Sequence, residues 1–241
     1  MGGDPGQELF LSYAREVARQ SDIVEVGIPF SDPIADGPSI QASGVRSLLS
    51  GTRVRRVIDW CSELSGPTPV VVMCYYNTIH RMGEEAFASS LSDAGVSGLI
   101  VPDLPLEEGS SLRRICARMS VDNILLASPS TGQERARRIA SSTRGFLYVV
   151  SRYGTTGEGT SLPAQAVELV RSYRQISTLP VAVGFGISSP AHVSTLAAAG
   201  ADGVVVGSAI VSRIGAGQTP GEVGKFVASL RGSTLRAAAI S

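Results

Sequence analysis

A chain of 241 residues can hold two small domains or one barrel-sized domain, and its 43% apolar fraction is ample for a large core. The 21 basic and 21 acidic residues cancel, so the chain lacks the charge footprint of a nucleic-acid or acidic-membrane binder. No apolar run nears the roughly 18 residues of a membrane span, and residues 1–6 resemble neither a signal nor a transit peptide. Cys61, Cys74 and Cys116 are odd in number and widely spaced, which suits buried thiols in a reducing cytoplasm better than a disulfide framework or a zinc site.

Two periodicities alternate along the chain. Phe10, Tyr13, Ala14 and Val17 form the stripe of an amphipathic helix, and residues 22–27 are a short apolar run. Val54, Val57, Ile58 and Cys61 repeat the stripe before a strand-length run at 69–74. A helix at 84–93, a strand at 96–102 and a helix marked by Leu112, Ile115, Cys116 and Met119 follow. Strands are predicted at 123–127, 145–151, 179–183 and 202–206. Helices at 134–142, around Ala166 to Tyr173, at 190–199 and from about Gly221 onward separate and close them. Strands this continuously apolar are buried on both faces, as in a parallel sheet covered by helices, and each helix is the crossover that parallel strands need.

With no break in composition, residues 1–241 read as one domain of repeated βα units, either an open doubly wound sheet or a closed barrel. Seven strands are counted, and the chain opens on a helix. A (βα)8 barrel needs one strand more, before Gln7, and residues 1–6 look like the turn that follows such a strand. The expectation is that Met1 is an internal methionine, that a first strand is missing, and that the gap lies between the strands at Ile23 and Val204, where backbone groups lack partners.

In βα barrels chemistry sits at the C-terminal ends of the strands. Glu25 lies inside the first apolar run, between Val24 and Val26, and Asp36 lies on the loop beyond it. Burial would raise the pKa of Glu25 and ready it for proton transfer near neutral pH, while Asp36 stays ionised. A structural ion pair for Glu25 and an Asx turn for Asp36 are the plain alternatives. Three later loops place glycine at a strand end with Ser or Thr close by: residues 151–157, 184–188 and 207–210. Glycine allows backbone N–H groups to approach an anion, and Gly207-Ser208 opens a helical stretch, so these loops suit a phosphate. His80 and His192 are far apart, without partners at metal-ligand spacing, and no dinucleotide, P-loop or G-x-S-x-G signature is present.

The run Glu25-Val26-Gly27-Ile28-Pro29-Phe30-Ser31-Asp32-Pro33-Ile34-Ala35-Asp36-Gly37-Pro38 closely resembles the α subunit family of tryptophan synthase. Tyr75-Tyr76-Asn77, Pro102-Asp103-Leu104-Pro105, Tyr148 with Ser151-Arg152, Gly184-Phe185-Gly186-Ile187-Ser188 and Gly207-Ser208-Ala209-Ile210-Val211 carry the resemblance over essentially the whole chain. It implies a TIM (βα)8 barrel that cleaves indole-3-glycerol phosphate to indole and glyceraldehyde 3-phosphate without a cofactor of its own. Glu25 matches the catalytic glutamate, Asp36 the second acid and Tyr148 the tyrosine that orients the glutamate. Thr156 matches a mobile-loop threonine at the substrate. Gly157, Gly186, Gly207 and Ser208 match the phosphate site, and Met73, Pro102 and Phe185 the indole pocket. The resemblance also implies an α2β2 assembly in which indole passes to a β subunit holding pyridoxal phosphate, with Pro29, Asp32, Asn77 and Pro105 in the contact region. The family's leading helix and first strand have no counterpart here. A stand-alone indole-3-glycerol phosphate lyase, and a catalytically impaired subunit that only binds and activates the β subunit, are the alternatives.

Overall fold

The computed structural model describes residues 1–150, 164–184 and 186–238. In chain order the elements are α1 (Gln7–Gln20), β1 (Val24–Gly27), α2 (Pro38–Leu49), α3 (Val54–Leu64), β2 (Val70–Met73), α4 (Tyr76–Met82), α5 (Glu84–Asp93), β3 (Gly98–Ile100), α6 (Ser110–Arg118), β4 (Asp122–Ile124), β5 (Leu126–Ala127), α7 (Gln133–Ser142), β6 (Leu147–Val150), α8 (Ala164–Ile176), β7 (Val181–Gly184), α9 (Pro190–Ala198), β8 (Gly203–Val204), α10 (Ser208–Gly215) and α11 (Pro220–Ala238).

Every strand pairing is parallel. One sheet runs β1-β2-β3-β4 and a second β5-β6-β7-β8, each in sequence order. β4 and β5 are two parts of the single strand predicted at 123–127. They are separated only at Leu125, whose carbonyl accepts the Tyr148 N–H at 3.1 Å. The sheets thus share one continuous stretch of chain, and the seven predicted strands occupy seven positions round the wall. Among the described residues no strand pairs with the outer edge of β1 or of β8. The first residues instead run against the end of β1, where the Gly2 N–H donates to the Gly27 carbonyl at 2.8 Å.

The packing follows the strand period of two. In β1, Val24 and Val26 point outward into an apolar layer with Phe10, Trp60, Phe87 and Leu112 of the surrounding helices. In β2 through β6, Val71, Ile100, Ile124 and Tyr148 point inward and form a small core inside the wall. A second outer layer joins Ala136, Leu147, Val170, Val181, Val193 and Leu230. The first and last long helices close the ring: α1 packs along α11, the Tyr13 hydroxyl donates to the Gln218 carbonyl at 2.5 Å, and Arg231 pairs with Asp22 at 2.8 Å.

Two helices were not anticipated from the sequence, α2 and α4. The buried positions of α2 include Ser43, Gly44 and Ser47, while Val45 and Leu49 are exposed, so its apolar residues mark the wrong face. In α4, Tyr76 and Asn77 were expected in a loop. There the Asp103 carboxylate accepts the Tyr76 N–H at 2.8 Å and ties down the first turn.

Candidate active site

Alternation along β1 sends Glu25 to the interior, since its neighbours Val24 and Val26 face the helices. Its register partner is Val71, so the carboxylate lies in the layer of the inner core, just below the strand ends. There it lines a cavity of about 840 Å³ that opens at the C-terminal ends of the strands. Burial raises the Glu25 pKa from 4.5 to about 7; the Met1 amine opposes that rise, and the negative charge of Asp36 adds to it. At neutral pH the group therefore populates both its acid and its base form.

Asp36 lines the same cavity at the end of the loop leading into α2. Burial raises its pKa as well, countered by a hydrogen bond from the Tyr75 hydroxyl. That hydroxyl also accepts the Ala35 N–H at 3.0 Å, so Tyr75 holds both ends of the Ala35-Asp36 step. Its ring stacks on Phe30 with centroids 5.2 Å apart. Tyr75 is a positioning residue that sequence reasoning passed over. Its place in the Tyr75-Tyr76-Asn77 motif was visible, but its reach to residues 40 positions earlier was not.

Tyr148 is 8% exposed, and burial together with the charges of Glu25 and Asp36 pushes its pKa well above 10. It stays protonated, within reach of the charges of both acids. Its ring lies across Gly184 on the neighbouring strand: a Cβ on Gly184 would be 2.8 Å from both the ring edge and the hydroxyl oxygen. Gly184 is thus required for Tyr148 to lie where it does, a role the Gly184-Phe185-Gly186 motif does not announce.

The same cavity is lined by Gly186, Gly207 and Ser208. Gly186 adopts φ +62°, a conformation that favours glycine. Gly207 precedes the first turn of α10, and both it and Ser208 line the cavity; the first turn of a helix is a place where an anion is favoured. Met73 and Pro102 line the apolar part. Thr156, Gly157 and Phe185 lie outside the described residues. On the rim Asp32, Asn77 and Pro105 are exposed, whereas Pro29 is buried and presents no side chain outward. Ile34, not singled out from the sequence, is 83% exposed on the same loop. Among the described residues no group of three or more His, Cys, Asp or Glu side chains could hold a metal ion, and no helix is long and apolar enough to cross a membrane.

A parallel βα wall whose strand ends bring paired acids and a glycine-framed helix start into one cavity is a geometry that can be compared with known proteins. The family model for the tryptophan synthase alpha chain matches residues 1–235. The chain belongs to that family. It is 46% identical over 213 residues to the tryptophan synthase alpha chain of Methanopyrus kandleri, covering 88% of this chain and 78% of the relative. It is 44% identical to that of Synechococcus sp. (strain CC9902), covering 96% and 88%. Among solved structures, the tryptophan synthase α2β2 complex of Pyrococcus furiosus aligns with a TM-score of 0.91 at 39% identity, over 96% of this chain and 95% of that one. The fold is accordingly the TIM barrel of the tryptophan synthase α subunits. As a member of this family the chain is a lyase subunit of tryptophan biosynthesis, and its family associates with a β subunit.

Proposed function

We propose that this chain cleaves indole-3-glycerol phosphate by a retro-aldol reaction at the cavity holding Glu25 and Asp36. The observation that carries the reading is the pair of acids in one cavity, with Glu25 near a pKa of 7. Substrate would lie with its phosphate on the amides around Gly186, Gly207 and Ser208 and its indole ring against Met73 and Pro102. Neutral Glu25 gives its proton to indole C3, and positive charge develops on the ring nitrogen. Ionised Asp36 accepts the indole N–H and stabilises that charge as it forms. The carboxylate left on Glu25 then takes the proton of the glycerol hydroxyl next to the breaking carbon–carbon bond. The electron pair of that bond returns to the indole ring, and the hydroxyl carbon becomes the aldehyde of glyceraldehyde 3-phosphate. Protons and electrons balance without an external oxidant or reductant. Tyr148, protonated beside both acids, orients Glu25. Thr156, Gly157 and Phe185 complete the loop, phosphate and ring contacts.

The released indole passes to a β subunit that holds pyridoxal phosphate, in an α2β2 assembly; no cofactor is needed in this chain. The rim carrying Asp32, Ile34, Asn77 and Pro105 is the contact face, and the large exposed side chain of Ile34 supports this. The buried free thiols of Cys61, Cys74 and Cys116 suit the cytoplasm. The test is indole release from indole-3-glycerol phosphate by the chain alone and with its β partner. Slow release that rises steeply with the partner is expected. Fast release alone would make the chain an independent lyase, and release in neither case would reduce it to a partner-binding subunit.

A further inference from the structure

Glu25 and Asp36 are joined covalently only by a loop whose Ser31, Asp32, Ile34 and Ala35 are exposed, which is a poor ruler for placing two acids around one substrate. A second, buried connection runs between the same two elements. The Gly2 N–H donates to the carbonyl of Gly27, two residues beyond Glu25 on β1, at 2.8 Å. The Gly2 carbonyl accepts the hydroxyl of Ser47 on α2 at 2.5 Å. Asp4 is 2% exposed, and its carboxylate accepts from Arg46 Nε at 2.7 Å, Arg46 Nη2 at 2.8 Å and Ser43 Oγ at 2.5 Å, all from α2. The slot holding these residues has no spare room. A Cβ on Gly2 would sit 2.6 Å from Val57 of α3, and one on Gly3 would sit 2.1 Å from Thr52. α2 begins two residues after Asp36, so the whole helix hangs from this clamp.

We propose that the Asp4–Arg46 pair, a buried carboxylate held by an arginine side chain 35% exposed, is a positioning device that sets Asp36 against Glu25 by fixing α2 to the end of β1. The proposal rests on the reading that these two carboxylates perform the cleavage. An ion pair with one member buried and the other partly exposed gives back in attraction about what it loses in hydration, so it contributes little net stability beside an apolar pair of the same size. What its two parallel hydrogen bonds supply is a fixed distance and a fixed orientation. A lysine at position 46 keeps the charge and loses the fork. At the phosphate end α2 has a contact of its own with α10, between Ser39 and Ser212, whose hydroxyl oxygens are 2.9 Å apart, and Arg46 also abuts α10, where a Cβ on Gly215 would lie 3.3 Å from its Nη2.

The experiment compares Arg46→Lys, the doubly neutral Asp4→Asn with Arg46→Met, and Glu25→Gln in the full chain with its β partner. It measures kcat and KM for indole release per folded molecule, and the thermal midpoint of each variant. Arg46→Lys and the doubly neutral variant are each expected to lower kcat about 10- to 100-fold, with KM held within about threefold. The doubly neutral variant is expected to melt close to the wild type, because no charge is left buried alone. Recovery of kcat along with the melting point would overturn the proposal and leave a merely structural pair. Full kcat in Arg46→Lys would overturn it even if the doubly neutral variant failed to fold. Activity persisting in Glu25→Gln would instead remove the reading beneath it, so the two failures are distinguishable.

Discussion

Glu25 shows how a single position acquires chemistry from its surroundings. A carboxyl group placed inside an apolar strand, facing a cavity rather than solvent, holds its proton to about pH 7. Glu25→Gln removes the exchangeable proton and keeps the shape, so kcat for indole release should fall by about 10²- to 10⁴-fold with substrate binding retained. The same substitution should change stability with a definite sign. Below pH 4.5 the group is protonated in both the folded and unfolded chain and makes no difference. Between 4.5 and about 7 the unfolded chain releases the proton while the folded chain keeps it, and relative stability is lost. Above 7 the folded chain carries a cost of up to about 3 kcal/mol that glutamine does not have. Melting curves should therefore place Glu25→Gln above the wild type at pH 8 and level with it near pH 4.5; a constant difference across that range would contradict the assignment. Tyr75→Phe removes the hydroxyl that steadies Ala35 and Asp36. Loss of one hydrogen bond to a carboxylate should lower kcat about tenfold, read by steady-state kinetics.

At the scale of the element, the wall is built from residues whose side chains must fit between neighbouring strands. Gly184 on β7 gives its space to the ring of Tyr148 on β6, and Gly98 on β3 gives its space to Ile124 on β4. The two sites separate stability from catalysis. Gly184→Ala forces the Tyr148 ring aside, and should cost about 1–3 kcal/mol and also lower the rate of indole release per folded molecule. Gly98→Ala crowds the Cδ1 methyl of Ile124 and should cost about 1 kcal/mol in denaturant melts. Its rate per folded molecule should be unchanged, because neither residue lines the cavity. Equal catalytic losses in both variants would mean that Tyr148 has no special part.

Over the whole molecule, apolar burial is divided. One outer layer covers β1 to β3 with α1 and α3 to α6, and the other covers β5 to β8 with α7, α8, α9 and α11. The small inner core and the α1–α11 contact span the two. Trp60 is the single tryptophan, and it belongs to the first layer, against Phe10 at 5.4 Å and beneath Arg56 at 5.8 Å. Its fluorescence therefore reports one half alone, whereas far-UV circular dichroism reports all the helices. Two layers with separate cores should lose structure at different denaturant concentrations, so the two signals should give different midpoints. Coincident curves would show that the inner core and the α1–α11 contact couple the halves into one cooperative unit.

The alternation of buried strands and amphipathic helices, the strand carrying Glu25 and the glycines at 184, 186 and 207 that line the cavity were legible in order along the chain. They depend on nearest neighbours in sequence: periodicity sets which face is apolar, and glycine sets where backbone can approach a ligand. α2 was hidden because its buried face is Ser43, Gly44 and Ser47, a face that only a polar partner across the molecule explains. That partner is Asp4, 42 positions before Arg46, and Tyr75 reaches Ala35 across 40. No local pattern encodes such pairings, because they arise when the parallel register brings strand ends to one pole. By itself the sequence determined the alternation of elements and the family, and it singled out Glu25 and Asp36 as the candidate acids. Only the tertiary structure decided that the acids share one cavity, that burial holds Glu25 near neutrality, and that the buried Asp4 carboxylate ties α2 down through Arg46. Desolvation and distance are properties of the packed barrel and not of any stretch of chain.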